Sequence, residues 1–233
     1  MNKRSVLERI RGGLIVSCQA VEGEPLHGAD TMTKMALAAK MGGAVGIRAN
    51  GAEDIRRIKA CTELPVIGIV KRVYEDSEVY ITSTLREVEE VVEAGADIVA
   101  VDATMRRRPG NLSTSAFLER VKREFPDIVL MADISTLEEG IMAEQSGADV
   151  VASTMAGYTA YSRPSAGPDL ALVANLVNTL TVSVVAEGRI RRPEEAKACI
   201  ELGCWAVVVG SAITRPQDIT RDFVEEIRKA ISR

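Results

Sequence analysis

EAGADIVAVD, residues 93–102, reads as the end of a helix, a glycine able to close it, and an apolar strand that finishes on a carboxylate. The pattern returns as QSGADVVAST at 145–154 and as ELGCWAVVVGS at 201–211. Its glycines fall at 95, 147 and 203, and each interval has room for two strand–helix units. Strands that are apolar along their whole length need both faces buried, which is the condition of a parallel sheet covered by helices.

Outward from these copies the same alternation fills the chain. A short amphipathic helix, Ser5–Arg11, precedes the first strand, GLIVSCQ (13–19); a loop carrying EGEPLHG leads to a helix over Thr31–Lys40 and a second strand, AVGIRAN (44–50). Helix Ala52–Cys61, strand PVIGIVKR (65–72), helix Leu85–Ala94 and strand DIVAVDAT (97–104) follow. Past the basic loop RRRPGN come helix Ser115–Glu124, strand IVLMADIS (128–135), helix Leu137–Ser146 and strand ADVVAST (148–154). The polar stretch AGYTAYSRPSAGPD (156–169) is a candidate lid. Helix Leu170–Asn178, strand VSVVAEGRI (182–190), a helix opened by Pro193, strand WAVVVGS (205–211) and helix Ile219–Ile231 complete eight units. The expected fold is α/β, one (β/α)8 TIM-barrel domain over residues 1–233 with a short N-terminal helix. An open doubly wound sheet is disfavoured, because no GxGxxG fingerprint follows the first strand.

Composition narrows the partners. With 233 residues, 46% of them apolar, the chain can bury the core of a barrel of this size. A net charge of -4 argues against nucleic acid as the main partner. MNKRSVLERIRGG lacks the apolar core of a secretory signal, and no apolar run reaches membrane-spanning length, so a cytoplasmic protein is expected. Four cysteines without a CxxC pair and a single histidine suggest neither a disulfide framework nor a zinc site.

In a parallel barrel the C-terminal strand ends converge on one mouth. The polar residues there are Gln19, Arg48, Lys71, Asp102, Asp133 and Glu187, with Gly188, Arg189, Gly210 and Ser211 close behind. Any one of them alone is more often a solvated loop group. Together they make acid/base machinery that needs no metal and no cofactor. Burial and the like charge of Arg72 are expected to lower Lys71, and burial to raise Glu187. After strands seven and eight, EGRI and GSAI are small-residue turns that feed helices, where barrels hold a phosphate on backbone N–H groups. The plainer account is that these glycines only make tight turns. Arg215, just before Pro216, is placed to add charge to the same mouth.

The runs SCQA, EPLHGADTMTKMALAAKMGGAVGIRANG, PVIGIVKR, DSEVYIT, DAT, MADISTLEEG, GYTAYS, VVAEGRI and VVVGSAITRP resemble, collinearly and nearly end to end, those of the N-acetylmannosamine-6-phosphate 2-epimerase family. Departures at ASTMAG (152–157), Ser83 and His27 touch the loops rather than the acid/base set. The resemblance implies cofactor-free interconversion of N-acetylmannosamine 6-phosphate and N-acetylglucosamine 6-phosphate by proton removal and return at C2, in sialic acid catabolism. It implies Lys71 as base at C2 and Glu187 as its acid/base partner. Gln19, Arg48, Asp133 and Arg215 would bind and orient the sugar, and Gly188, Gly210 and Ser211 would hold its phosphate. A Schiff-base lyase or aldolase working through Lys71, and a non-catalytic phosphosugar-binding barrel, stand as alternatives. Relatives suggest a homodimer, with the helix Thr31–Lys40, Cys204 and Trp205 offering apolar surface.

Overall fold

A computed structural model describes residues 2–231. Among them, eight strands close into a parallel barrel: β1 (Leu14–Cys18), β2 (Gly46–Asn50), β3 (Val66–Ile69), β4 (Ile98–Asp102), β5 (Val129–Asp133), β6 (Val150–Ala152), β7 (Ser183–Glu187) and β8 (Ala206–Val209). They lie in sequence order, and β8 pairs back onto β1. The helices are α1 (Lys3–Ile10), α2 (Ala29–Met41), α3 (Ala52–Thr62), α4 (Leu85–Glu93), α5 (Thr114–Glu124), α6 (Leu137–Gln145), α7 (Leu170–Thr179), α8 (Pro193–Glu201), α9 (Ser211–Thr214) and α10 (Pro216–Ile231). The expected barrel is therefore the observed one. Most strands are shorter than the expected runs, as where β3 stops at Ile69 rather than Arg72, β6 at Ala152 rather than Thr154 and β7 at Glu187 rather than Ile190, and the final helix begins at Pro216, behind a short α9 that the sequence pattern does not separate from strand eight.

The recurring glycine motif has a structural cause, and it has four copies rather than three. Gly43, Gly95, Gly147 and Gly203 all take positive φ. In each case the next residue donates its N–H to the carbonyl five positions back, as Ala44 to Ala39, Ala96 to Val91, Ala148 to Ala143 and Cys204 to Cys199. The residue after that donates to the strand before: Val45 to Leu14, Asp97 to Val66, Asp149 to Leu130 and Trp205 to Val184. Every even-numbered strand thus enters the barrel through the same helix closure.

In the two middle copies the aspartate adds a bolt at the foot of the sheet. Asp97 Oδ2 accepts the Val66 N–H at 2.8 Å and a bond from Lys59 of α3; Asp149 Oδ2 accepts the Leu130 N–H at 2.8 Å and Lys122 of α5 at 2.7 Å. Strand-edge amide, aspartate and helix lysine are joined in one bond set. In the last copy Trp205 takes that place and donates Nε1–H to the Leu7 carbonyl at 2.8 Å, with Arg11 stacked over its ring. α1 is thereby drawn across the N-terminal end of the barrel.

Strand alternation divides the core in two. Ile15, Ile67, Ile98, Val129, Met131, Val150, Val185 and Val208 fill the barrel interior and meet Val6 and Ile10 of α1, which close its floor. Ile47, Val66, Val99, Val101, Leu130, Val151, Val184 and Val207 point outward under the helices. Gly68 faces that way too, where a Cβ would lie 2.5 Å from Val91 and 2.8 Å from Ala96, so its lack of a side chain sets how closely the neighbouring elements approach β3.

α10 departs from this order. None of its residues is buried, and Phe223, Ile227 and Ile231 are 70%, 60% and 79% exposed on one stripe. The expectation of apolar surface on the helix Thr31–Lys40 with Cys204 and Trp205 holds in part: α2 buries Met32 and Ala36 but leaves Leu37 and Met41 exposed, whereas Cys204 is buried and the Trp205 indole is held by Leu7. A further uncovered apolar stripe lies on α10.

The bolt at Asp97 yields a stability expectation. Asp97→Ala leaves the buried Val66 N–H and Lys59 without their acceptor, so urea unfolding should show a loss of about 1–3 kcal/mol. An unchanged midpoint would mean that the bolt contributes nothing to stability.

Candidate active site

The period of two in each strand decides what faces the mouth. Continuing the inward positions upward gives Ser17 of β1 and Gln19 just beyond it, Arg48 from β2, Lys71 beyond β3, Asp102, Asp133, Glu187 and Gly210 just beyond β8, and the 3-10 turn after β6 adds Thr154. Arg48 sits mid-strand rather than at the strand end, in register with Ser17 of β1. Arg72 has the opposite parity and turns outward to α4, where it pairs with Glu87 and, at 3.1 Å, with Glu90. It is therefore not the cation that acts on Lys71. Asp102 is inward and buried, but its Oδ1 accepts the Thr104 N–H and hydroxyl and its Oδ2 pairs with Arg106 at 2.6 Å. Those bonds commit it to the loop after β4.

Lys71 stands where the chain leaves β3 and doubles back. The Asn50 side chain accepts the Lys71 N–H at 2.8 Å, and Tyr80–Thr82 returns antiparallel, with Arg72 N–H to Tyr80 O at 2.9 Å and Thr82 N–H to Val70 O at 2.8 Å. Ile81 then accepts the Asp102 N–H at 3.0 Å, so the returning segment wedges between the tops of β3 and β4 and sets Tyr80 on the rim. Sequence periodicity marks neither Asn50 nor this wedge as site-forming. The pairing of DSEVYIT with the end of PVIGIVKR is long-range and leaves no periodic trace.

Beneath the mouth, Arg48 is 1% exposed and carries both carboxylates. Its Nη2 meets Asp133 Oδ2 at 2.5 Å, and its Nη1 meets Asp133 Oδ1 at 3.1 Å and Glu187 Oε2 at 2.6 Å. Burial alone would lower an arginine, but the two carboxylates more than offset it and raise Arg48, which stays charged. Burial lifts Glu187 above the usual carboxylate range and the charge of Asp133 adds to the rise, against the opposing pull of Arg48. For Lys71, burial first and then the cations Arg48 and Arg215 lower the ammonium to about 8, against Glu187 and Glu24. The sequence expectation of a lowered lysine and a raised glutamate stands, with Arg48 and Arg215 as the cations in place of Arg72.

A cavity of about 330 Å³ opens above these groups, lined among others by Gln19, Arg48, Lys71, Glu187, Gly188 and Arg215. That is the size of a small-molecule site. Gln19 Nε2 donates to Ser17 Oγ at 2.8 Å, leaving its amide oxygen available. Arg215 pairs with Glu24 of the EGEPLHG loop at 2.9 Å. Gly210 and Ser211 lie where β8 passes into α9; the Ile213 and Thr214 N–H groups bond back to Gly210 O, and the preceding N–H groups of so short a turn have no helical acceptor. Arg48, Lys71, Arg189 and Arg215 outnumber the carboxylates around the cavity, which suits an anionic ligand.

The candidate lid is partly bolted down. Tyr161 donates its hydroxyl to Glu139 at 2.5 Å, Thr159 to Ser135 at 3.1 Å, and Ser162 Oγ accepts the Gly157 N–H at 2.9 Å. Arg189, at positive φ in the turn after Glu187, donates to the carbonyls of Ala156 and Gly157 and stacks 3.9 Å over the Tyr158 ring. A Cβ on Gly157 would fall 2.5 Å from Arg189 Nη1, so only glycine lets this latch close. Residues 156–162 are thus a fixed wall that presents Tyr158 to the cavity.

A family model described as "Putative N-acetylmannosamine-6-phosphate epimerase" matches residues 32–229. The chain belongs to the N-acetylmannosamine-6-phosphate epimerase family. A relative from Caldanaerobacter subterraneus subsp. tengcongensis, described as "Putative N-acetylmannosamine-6-phosphate 2-epimerase", is 54% identical over 224 residues, covering 96% of this chain and 94% of its own. One from Listeria monocytogenes under the same description is 48% identical over 227 residues, covering 97% and 98%. The solved N-acetylmannosamine-6-phosphate 2-epimerase from Clostridium perfringens superposes with a TM-score of 0.90 at 48% identity, over 94% of this chain and 95% of that one. A thiamine phosphate pyrophosphorylase from Pyrococcus furiosus, 19% identical at a TM-score of 0.60, shares the fold alone. Membership of the epimerase family agrees with the motif resemblance read from sequence.

The latch has a direct readout. Arg189→Ala removes both carbonyl contacts and the stack, so amide exchange across 156–162 should accelerate by roughly tenfold or more. Arg189→Lys should restore little, because an ammonium lacks the planar guanidinium that reaches both carbonyls while stacked on the Tyr158 ring. Unchanged protection in the alanine variant would show that the wall holds without Arg189.

Proposed function

We propose that this chain interconverts N-acetylmannosamine 6-phosphate and N-acetylglucosamine 6-phosphate by deprotonation and reprotonation at C2, with Lys71 and Glu187 as the two acid/base groups. The observation that carries the reading is their placement: β3 and β7 are four strands apart in a ring of eight, so the groups face each other across the mouth. Inversion needs a proton taken from one face and returned to the other. In the open-chain sugar the C1 aldehyde acidifies C2–H; the neutral Lys71 amine takes that proton, the electron pair passes to O1 as an enolate, and protonated Glu187 delivers a proton to the opposite face of C2. The reverse reaction exchanges the roles. No electron is gained or lost, so the step needs no redox cofactor.

The remaining assignments follow from the same geometry. Arg48 and Arg215 supply positive charge for the enolate oxygen, Asp133 holds Arg48 in place, and Gln19 offers an amide to the sugar. The N–H groups at Gly188, Gly210 and Ser211 are proposed to receive the phosphate. Free Cys18, Cys61, Cys199 and Cys204 are compatible with a reducing cytoplasm, and no helix among the described residues is long and apolar enough to cross a membrane.

Lys71→Ala should abolish solvent deuterium incorporation at C2 of N-acetylmannosamine 6-phosphate in D₂O, followed by proton NMR, with a loss of about 10²–10⁴. In the parent protein kcat/KM should follow a bell. Activity falls at high pH as Lys71 and Glu187 are both deprotonated, on a limb near the Lys71 value of about 8, and falls at low pH as both become protonated. Exchange that survives in Lys71→Ala would sink the assignment. A lowered lysine also suits a Schiff-base lyase, but borohydride with substrate should then trap an adduct, and none is expected.

A homodimer is proposed as well, supported by the apolar stripe of Phe223, Ile227 and Ile231 that α10 leaves uncovered. Sedimentation velocity at micromolar concentration should give a dimer, and the double variant Phe223→Glu, Ile227→Glu should give monomer. A monomeric parent would refute it.

A further inference from the structure

Thr154 stands two residues beyond β6, in a 3-10 turn over Ser153–Met155, where the two site carboxylates meet. Its hydroxyl lies 2.7 Å from Asp133 Oδ1 and 3.2 Å from Glu187 Oε2. A hydroxyl has one proton, so it can donate to only one of the two at a time. Arg48 Nη1 spans the same two oxygens, at 3.1 Å and 2.6 Å. Both contacts to Glu187 fall on Oε2, which leaves Oε1 as the oxygen that exchanges a proton with a ligand in the cavity.

We propose that Thr154 is a positioning residue whose hydroxyl proton follows the ionisation of Glu187: it points to Asp133 while Glu187 is protonated, and turns to Glu187 Oε2 when Glu187 gives up its proton from Oε1. This rests on the reading of Glu187 as an acid/base group. The movement is rotation about one C–O bond, and it supplies a donor to the anion as the anion forms. The backbone under Thr154 is fixed for the purpose. Ser153, its neighbour, accepts the Glu187 N–H at 3.1 Å and donates to the Glu187 carbonyl at 3.0 Å, so the ends of β6 and β7 move together. The charged groups facing Glu187 are Arg48 from β2, Lys71 beyond β3 and Asp133 from β5; Arg215 and Glu24 act at one remove, through Lys71.

The experiment compares the parent with Thr154→Val, which keeps the shape and loses the hydroxyl, and Thr154→Ser, which keeps the hydroxyl. Carboxyl-¹³C NMR of glutamate-labelled protein, with the Glu187 signal assigned through Glu187→Gln, reads the titration without requiring turnover. In Thr154→Val the Glu187 titration and the acid limb of kcat/KM should both move up by roughly one pH unit, because the ionised form has lost a donor. The alkaline limb should stay in place, kcat should fall about tenfold with little change in KM, and Thr154→Ser should restore the acid limb. An unmoved Glu187 titration in Thr154→Val, or a serine variant that behaves as the valine one does, overturns the proposal. A shifted titration in a protein that shows no deuterium exchange at C2 supports the coupling of Thr154 to Glu187 and defeats the epimerase reading instead.

Discussion

A guanidinium with almost no solvent access, holding two carboxylates, is the constraint around which the mouth of this barrel is arranged. Removing Arg48 from water is costly, and it is tolerable here because Asp133 meets it twice and Glu187 once. The same arrangement fixes the carboxylates. Without the buried cation, two acids on β5 and β7 sharing the hydroxyl of Thr154 would repel, and one would be forced to stay protonated. Burial gives Glu187 a raised affinity for its proton, with Asp133 adding to the rise and Arg48 opposing it, while burial and the cations Arg48 and Arg215 loosen Lys71 from its own. Burial, the first cause of both shifts, thereby draws two groups of opposite type toward each other in pH, while Arg48 keeps the glutamate from rising further.

The barrel supplies what that arrangement needs from below. Four helix closures of the same design set the even strands, and α1 and the Trp205 indole close the floor, so the mouth rests on a packed interior rather than on loops. The loops then lock onto the strands at few points: the Tyr80–Thr82 wedge, the Arg189 latch and the pairing of Arg215 with Glu24. Rigid positioning of this kind suits proton transfer at carbon, where the reacting groups must hold their geometry on both faces of one atom.

Family membership and site geometry reach the same chemistry by independent routes. The relatives bring the reaction's name; the residues bring a lysine and a glutamate on opposite strands of a ring of eight, with the cavity between them biased toward anions. Within 152–157, Ser153 ties β6 to β7, Thr154 meets both site carboxylates, and Ala156 and Gly157 receive the Arg189 latch.

By itself the sequence determined the barrel and most of the charged residues at its mouth. Apolar strands at a regular spacing and glycine-closed helices are local signals, and a closed parallel ring then forces strand ends together whatever the side chains are. What only the tertiary structure decided is which neighbour each charge answers to. Adjacency in sequence offers Arg72 as the cation that repels Lys71; strand parity sends Arg72 out to Glu87 and Glu90, and the closed barrel brings Arg48 and Arg215 instead. Asp102 counts among the mouth residues in sequence, yet the fold gives its carboxylate to Thr104 and Arg106. Asn50, Thr154 and the returning Tyr80–Thr82 segment carry no signal of their own, since a polar residue at a strand end looks the same whether it faces water or a buried acid. Periodicity is a property of neighbours along the chain, whereas a proton's affinity is set by charges and burial across the barrel, and those exist only after it closes.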